Sequence, residues 1–215
     1  MDSGLSRLFY RETVEDSGVG DEKVMRRNVY AHVRVTVSAQ IRGKGAMFSW
    51  NAGDNIPARF APAVAQGIQD AMNTGILAGL EVIDVHASIE NGSYHDVDSN
   101  ADVFREAAEK AMAEALRQAH PVILEAIALV TVAVPGELIS IAEKIVLAHG
   151  GSMNPPRSGS AAPSVVASLP AARVQALMAE LLEATGGRAN ITSTIGGFRP
   201  RPQPPDINEQ WIAVT

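Results

Sequence analysis

The clearest regularity in the chain is an alternation over 29–38. Val29, Ala31, Val33, Val35 and Val37 fall on one side, and Tyr30, His32, Arg34, Thr36 and Ser38 on the other. Successive side chains of a strand point to opposite faces, so this stretch predicts a strand with one buried and one solvated face. A shorter strand is predicted over 7–14 (Arg-Leu-Phe-Tyr-Arg-Glu-Thr-Val), and the polar stretch 15–28, interrupted by Gly18 and Gly20, reads as a long loop. Arg42-Gly43-Lys44-Gly45 reads as a turn, after which 46–51 pairs back. Pro57, then Phe60, Val64, Ile68 and Met72 at every fourth position, with Gly75 beyond, predict an amphipathic helix with its start and stop signals. Period two returns over 80–90, where Ile83, Val85, Ala87 and Ile89 oppose Asp84, His86 and Ser88, and predicts another strand. Ser99 with Asp102 three residues on is a capping-box signal for a second helix through Phe104, Ala108, Met112 and Ala115, closed before Pro121.

The same alphabet is used again after residue 127. An apolar, β-branched run over 127–134 predicts a strand. Leu138, Ile141, Ala142, Ile145 and Val146 form a helical stripe ended by Gly150-Gly151. Residues 152–163, rich in Pro, Ser, Gly and Ala, read as a loop, and 164–169 as a strand. Pro170 opens a helix along Val174, Leu177, Met178, Leu181 and Leu182, Gly186-Gly187 ends it, and 189–195 closes a β-α-β-α-β unit. The tail from Arg199 carries four prolines and reads as surface-packed or frayed. No internal repeat is evident.

Length and composition narrow the picture. The 215 residues favour two compact units. Hydrophobic residues at 46%, charged residues at 20% and a mean hydropathy of +0.03 describe a folded chain. Aromatics at 5% point to helix-on-sheet layers of small aliphatic side chains. The absence of Cys excludes disulfides, thiolate zinc sites and a cysteine nucleophile. The net charge of -6 and pI of about 5.4 provide no global basic field to recruit DNA or RNA. Charge is unevenly spread: residues 1–44 hold 8 basic and 6 acidic side chains, 45–128 hold 4 and 12, and 129–215 hold 6 and 6. No basic start with an apolar core opens the chain, and no apolar run approaches the roughly 20 residues that span a bilayer, so a cytoplasmic location without membrane contact is the expectation.

The densest polar cluster is Gly92-Ser93-Tyr94-His95-Asp96-Val97-Asp98-Ser99, between a strand and a helix. His95, Asp96 and Asp98 have the chemistry of a Zn, Mn or Fe site, but Asp98 and Ser99 beside a helix N-terminus are accounted for by the free amide donors there. The expectation is no metal and no cofactor. A serine hydrolase needs a G-x-S-x-G elbow, and Arg157-Ser158-Gly159 has Pro156 in the place of its first glycine. Gly43-Lys44 fails as a phosphate loop because Ser38 and Gly45 occupy the other required places. Arg26-Arg27 before Asn28 and Tyr30 have the character of phosphate contacts, although Asp21 and Glu22 lie nearby. His32 and His86 belong to polar strand faces and read as solvated or paired, Phe60 and Phe104 as core, and Trp50 and Trp211 as covers of a core edge.

Taken together, these motifs resemble a known family. Tyr10-Arg11-Glu12-Thr13, Ile56-Pro57, Ala63-Val64, Gly67-Ile68-Gln69, Leu77-Ala78-Gly79, the run from Gly92 to Ser99, Ala107-Ala108 and Pro121-Val122-Ile123-Leu124-Glu125 resemble domain IV of elongation factor G, in order and at similar spacing. Pro135, Gly150-Gly151, Leu169-Pro170 and Gly187-Arg188-Ala189 look like its domain V. The resemblance implies an α+β chain of two α/β-sandwich domains: 1–127 of the ribosomal protein S5 domain 2 type, 128–198 ferredoxin-like, then a Pro-rich tail over 199–215. It also implies a role. In the family, domain IV reaches the small-subunit decoding site behind the moving transfer RNA, and domain V lies near the factor-binding region of the large subunit. Ribosomal RNA, with tRNA, is then the partner. By the same analogy Tyr94, His95 and Asp96 form the tip of domain IV, and Arg26, Arg27 and Asn28 belong to the neighbouring tip hairpin.

The departures shape the expectation further. The family hairpin carries Ser-Gly-Gly-x-Gly-Gln, whose glycines permit close backbone approach to RNA, where this chain has Met25-Arg26-Arg27-Asn28. In the second half, Met153-Asn154-Pro155-Pro156-Arg157-Ser158-Gly159 stands where domain V has its second strand, and prolines cannot donate to a ladder, so a shortened or lost strand is expected. The family's GTPase domain has no counterpart in these residues, which implies a fragment or a stand-alone homologue and no GTP hydrolysis by the family's mechanism. The alternative reading is a divergent homologue that acts as a protein-interaction module without ribosome binding.

Overall fold

A computed structural model describes residues 7–154 and 164–201. Two compact units emerge: the described residues up to Leu124 together with Pro200 and Arg201, and Glu125–Arg199.

In the first unit, β1 (Tyr10–Val14) is followed by β2 (Gly18–Arg26), β3 (Val29–Ala39), β4 (Met47–Trp50), α1 (Ala61–Thr74), β5 (Val85–Ser93) and α2 (Ala101–Gln118). The four-stranded sheet runs in the order β2-β3-β5-β4. The alternation in β3 is realised as expected, with Ala31, Val33, Val35 and Val37 buried. These residues pack against α1 and α2 through Val64, Ile68, Met72, Phe104, Ala108, Met112 and Ala115. Each Val, Ile, Met or Phe side chain removed from water in this layer contributes about 1.5–3 kcal/mol. Phe60 and Phe104 stack within it, with centroids 4.5 Å apart.

Four expectations need correction here. The stretch read as a loop over 15–28 contains β2, paired antiparallel with β3 from Gly18↔Val37 to Arg26↔Val29. Its glycines mark close approach rather than a loop: a Cβ on Gly20 would lie 1.7 Å from the Ala111 carbonyl oxygen of α2, and one on Gly18 2.0 Å from that of Ala115. Residues 46–51 do not pair back on the preceding strand; β4 pairs in parallel with β5 through the α1 crossover, Met47↔His86 to Trp50↔Ile89. The strand predicted over 80–90 begins only at Val85, because Asp84 takes a positive φ of 57° and its carboxylate accepts from the amides of Gly43 and Gly45, at 3.0 and 2.8 Å. Finally, Ser99 is not the helix cap. Asn100 is, accepting from the Val103 amide at 3.0 Å.

The buried Glu12 ties β1 into this unit. Its carboxylate accepts from the amides of Ile76, Leu77, Ala78 and Leu80 at 2.6 to 3.2 Å, which satisfies a charge held away from water.

The strand β6 (Pro121–Ala133) opens six residues before the predicted one, and its continuation builds the second unit with α3 (Ile139–Ala148), β7 (Ser152–Asn154), β8 (Ser164–Pro170), α4 (Val174–Ala184) and β9 (Asn190–Pro200). The sheet order within this unit is β9-β6-β8-β7, with β6 antiparallel to β8 and β8 antiparallel to β7. That is the ferredoxin-like arrangement, so the chain as a whole is α+β, with an S5 domain 2-like unit followed by a ferredoxin-like one. Leu177 and Leu181 of α4 and Val146 of α3 supply its helical core. β7 has three residues; the prolines at 155 and 156, most of the tail and Trp211 lie outside the described residues.

Candidate nucleic-acid interface

The β2–β3 ladder closes on Arg26↔Val29, which leaves Arg27 and Asn28 as a two-residue hairpin loop. Asn28 takes the left-handed conformation, φ 59°, which asparagine tolerates better than most residues. Glycine is therefore not needed to turn this hairpin, and its place is free for side chains that reach outward. Met25, Arg26, Arg27 and Asn28 are all exposed.

The loop 94–100 between β5 and α2 lies directly beside that hairpin, and Tyr30 holds the two together. Its ring stacks on His95, with centroids 4.1 Å apart and planes within 8°. Its amide donates to the Asp98 carbonyl at 2.9 Å. Its carbonyl accepts from the Ser99 hydroxyl at 2.7 Å. Its own hydroxyl bonds Ser93 Oγ at 2.6 Å. Ser99 Oγ in turn accepts from the His95 amide at 2.9 Å, and the Ser99 amide donates to the His95 carbonyl at 3.1 Å. The backbone of His95 is thus clamped from within the loop and its ring from the hairpin.

Of the residues singled out from the sequence, this geometry brings Arg26, Arg27, Asn28, His95 and Asp96 to one exposed end. Tyr94 differs: it is half-buried, packs against the core and lies under the Arg59 guanidinium, 5.9 Å from its ring centroid. Val97 is the most exposed apolar side chain of the loop, at 92%. His32 and His86 are paired, with Asp21 at 2.5 Å and Ser49 at 2.7 Å. Ser93 and Ser99 stood in the run Gly92–Ser99 that the sequence singled out but had no role assigned there, and Glu106 was not identified at all. The parts the two serines play emerge only once the register of β5 against β3 is known.

Electrostatically the end is mixed. Arg26 pairs with Glu106 of α2, which also takes Lys110 at 2.8 Å. Hydrogen bonding from Lys110, opposed by partial burial and reinforced by Arg26, holds the Glu106 carboxyl below its usual range. Arg27 makes no ion pair among the described residues and is the cation most available to an anion. His95 Nδ1 lies 3.6 Å from Asp98. Among the described residues no three His, Asp or Glu side chains converge as a metal-ligand set, and the groups this end presents are a stacked imidazole, hydrogen-bonding groups and local cations.

Comparison with known proteins agrees with this architecture. The family model for elongation factor G, domain IV, matches residues 7–120. Elongation factor G of Chlamydia caviae is 33% identical over 205 residues, covering 93% of this chain and 30% of the relative. A crystal structure of a protein from Thermus thermophilus superposes with a TM-score of 0.80 at 30% identity, covering 90% of this chain and 30% of that one. The chain spans about a third of the length of these relatives. With more than half of its residues matched by the family model, the chain belongs to the elongation factor G family.

Proposed function

We propose that this chain is a non-catalytic, ribosome-associated module of translation. In this reading residues 1–127 act as a domain IV and 128–198 as a domain V, and the chain works in the cytoplasm. Arg26, Arg27, Asn28, His95 and Asp96 meet ribosomal RNA or tRNA, with Tyr94 supporting the loop from beneath. The observation that carries the reading is the clamp at Tyr30, which makes two loops one preorganised surface with a stacked imidazole beside Arg27, which is exposed and has no ion pair among the described residues. Preorganised aromatic and cationic groups suit exposed bases and phosphates. No cofactor is assigned, and no phosphate-loop motif occurs in these 215 residues. Binding is expected to be weak and salt-sensitive, because the chain carries -6 and Arg26 is shared with Glu106.

Co-sedimentation with ribosomes tests this. The chain is expected to pellet at low salt and to be released at moderate salt. His95→Ala weakens retention, and Arg26→Ala with Arg27→Ala lowers the slope of log affinity against log salt by about 2 if both reach phosphates. Absence from the pellet at every salt concentration, or variants that pellet like the parent, would overturn the reading.

A second reading, a protein-interaction module, is favoured by one feature. The edge strand β4 exposes Met47, Phe48 and Trp50 next to exposed Ile41, without the charges that usually guard a sheet edge. Co-purification of one defined non-ribosomal protein, lost on Phe48→Lys, supports that reading over the first.

A further inference from the structure

The solvated face of β3 carries a chain of polar contacts that runs from β2 to the tip. Asp21 Oδ1 lies 2.5 Å from His32 Nε2, His32 Nδ1 lies 3.3 Å from Ser93 Oγ, and Ser93 Oγ lies 2.6 Å from the Tyr30 hydroxyl. Tyr30 then stacks on His95. We infer that His32 is a positioning residue for the tip, whose protonation state sets the direction of this hydrogen-bond chain and with it the ring that Tyr30 presents to His95. The inference rests on the proposed role of the tip.

Proton counting gives the mechanism. A neutral His32 that donates from Nε2 to Asp21 has only a lone pair at Nδ1. Ser93 then donates to His32 and accepts from the Tyr30 hydroxyl. A protonated His32 donates from both nitrogens, so Ser93 accepts from it and its own hydrogen, no longer committed to His32, is free to turn to Tyr30. The phenol is bound to donate in the first state and is released to accept in the second. A donating phenol has the more electron-rich ring, which holds a cationic imidazole on its face more strongly. Protonation of His32 therefore disfavours protonation of His95, at a distance of two linked hydrogen bonds and one stack.

The groups around His32 are few. Lys23 is its register partner on β2, and Asp21 lies on the same strand. Arg34, on β3, reaches the second Asp21 oxygen at 3.3 Å. On β5 the register partner is the neutral Ser93. Beyond Tyr30 stand His95 and Asp98. The helices pack on the opposite, apolar face. The two imidazoles also act on each other directly through any charge they carry, so the test must remove the relay while leaving every charge in place. Tyr30→Phe does this, since it deletes one hydroxyl and keeps the ring.

The experiment is an NMR pH titration of the histidine rings in the full chain without ribosomes. In the parent, the His95 signals are expected to show a second inflection at the His32 midpoint, and His32→Gln removes it. In Tyr30→Phe the second inflection falls to the part that the direct field alone supplies, while ring contacts between residues 30 and 95 persist. Ser93→Ala gives the same reduction by an independent break in the chain. A single inflection for His95 in the parent, or a second inflection of undiminished size in both relay variants, would overturn the inference. Because no ribosome is present, failure to bind ribosomes sinks the functional reading without touching this result, and the reverse also holds.

Discussion

Ser99 has one hydroxyl and uses it twice, donating to the Tyr30 carbonyl and accepting from the His95 amide. Replacing it by alanine takes a partner from the half-buried Tyr30 carbonyl and from the exposed His95 amide, at a cost of about 1 kcal/mol. Ser99→Ala is therefore expected to lower the denaturation midpoint modestly and to speed hydrogen exchange at the His95 amide; unchanged exchange at that amide would contradict the clamp. The residue type was legible from the sequence as a helix-start signal, but its role was not. Asn100, one position on, takes the cap, and Ser99 is released to a partner 69 residues away. Glu12 shows the same limit. Its place in Tyr-Arg-Glu-Thr stood out, yet its four amide partners lie 64 to 68 residues on, and only the folded chain reveals them.

Among the elements, β3, α1, α2 and α4 were legible because each buries one face and the period of its apolar residues survives in the sequence. β2 was not, because its buried face is made of Gly18, Gly20 and Val24, and two glycines that admit a helix backbone look like loop residues when read alone. That strand matters for the site, since it carries the hairpin and links it to α2 through Arg26 and Glu106. The link has a pH signature. The folded-state value of Glu106 is depressed, by Lys110 first and Arg26 after it, so the native state holds fewer protons than the unfolded one as the carboxyl titrates. The stability it contributes is present above the ordinary carboxylate range, about 4.3, and is lost as pH falls through the depressed value. Glu106→Gln should flatten the acid limb of the stability curve below the ordinary carboxylate range relative to the parent. An acid limb of the same slope in both would show that the ion pairs of Glu106 contribute nothing.

At the scale of the whole molecule, the two units share a plan of helices laid on one face of a sheet, and among the described residues the first presents two interlocked loops beyond its sheet. The family resemblance was legible in short motifs spread along the chain, while the interlocking of the hairpin with the loop was not, because it depends on the register Arg26↔Val29 and on Tyr30 facing the same side as Ser93. The central claim is that these loops meet RNA as one surface. The absence of Cys allows a single cysteine to be placed at will. Val97→Cys and Asn28→Cys put a handle on each loop at an exposed position, and Leu182→Cys puts one on the second unit. Directed hydroxyl-radical cleavage of ribosomal RNA from an iron chelate at each site is the most direct measurement. Overlapping cuts from positions 28 and 97, distinct from those at 182, are the result this account predicts. Cuts from 28 and 97 in unrelated RNA segments, or none from either while 182 cleaves, would contradict it.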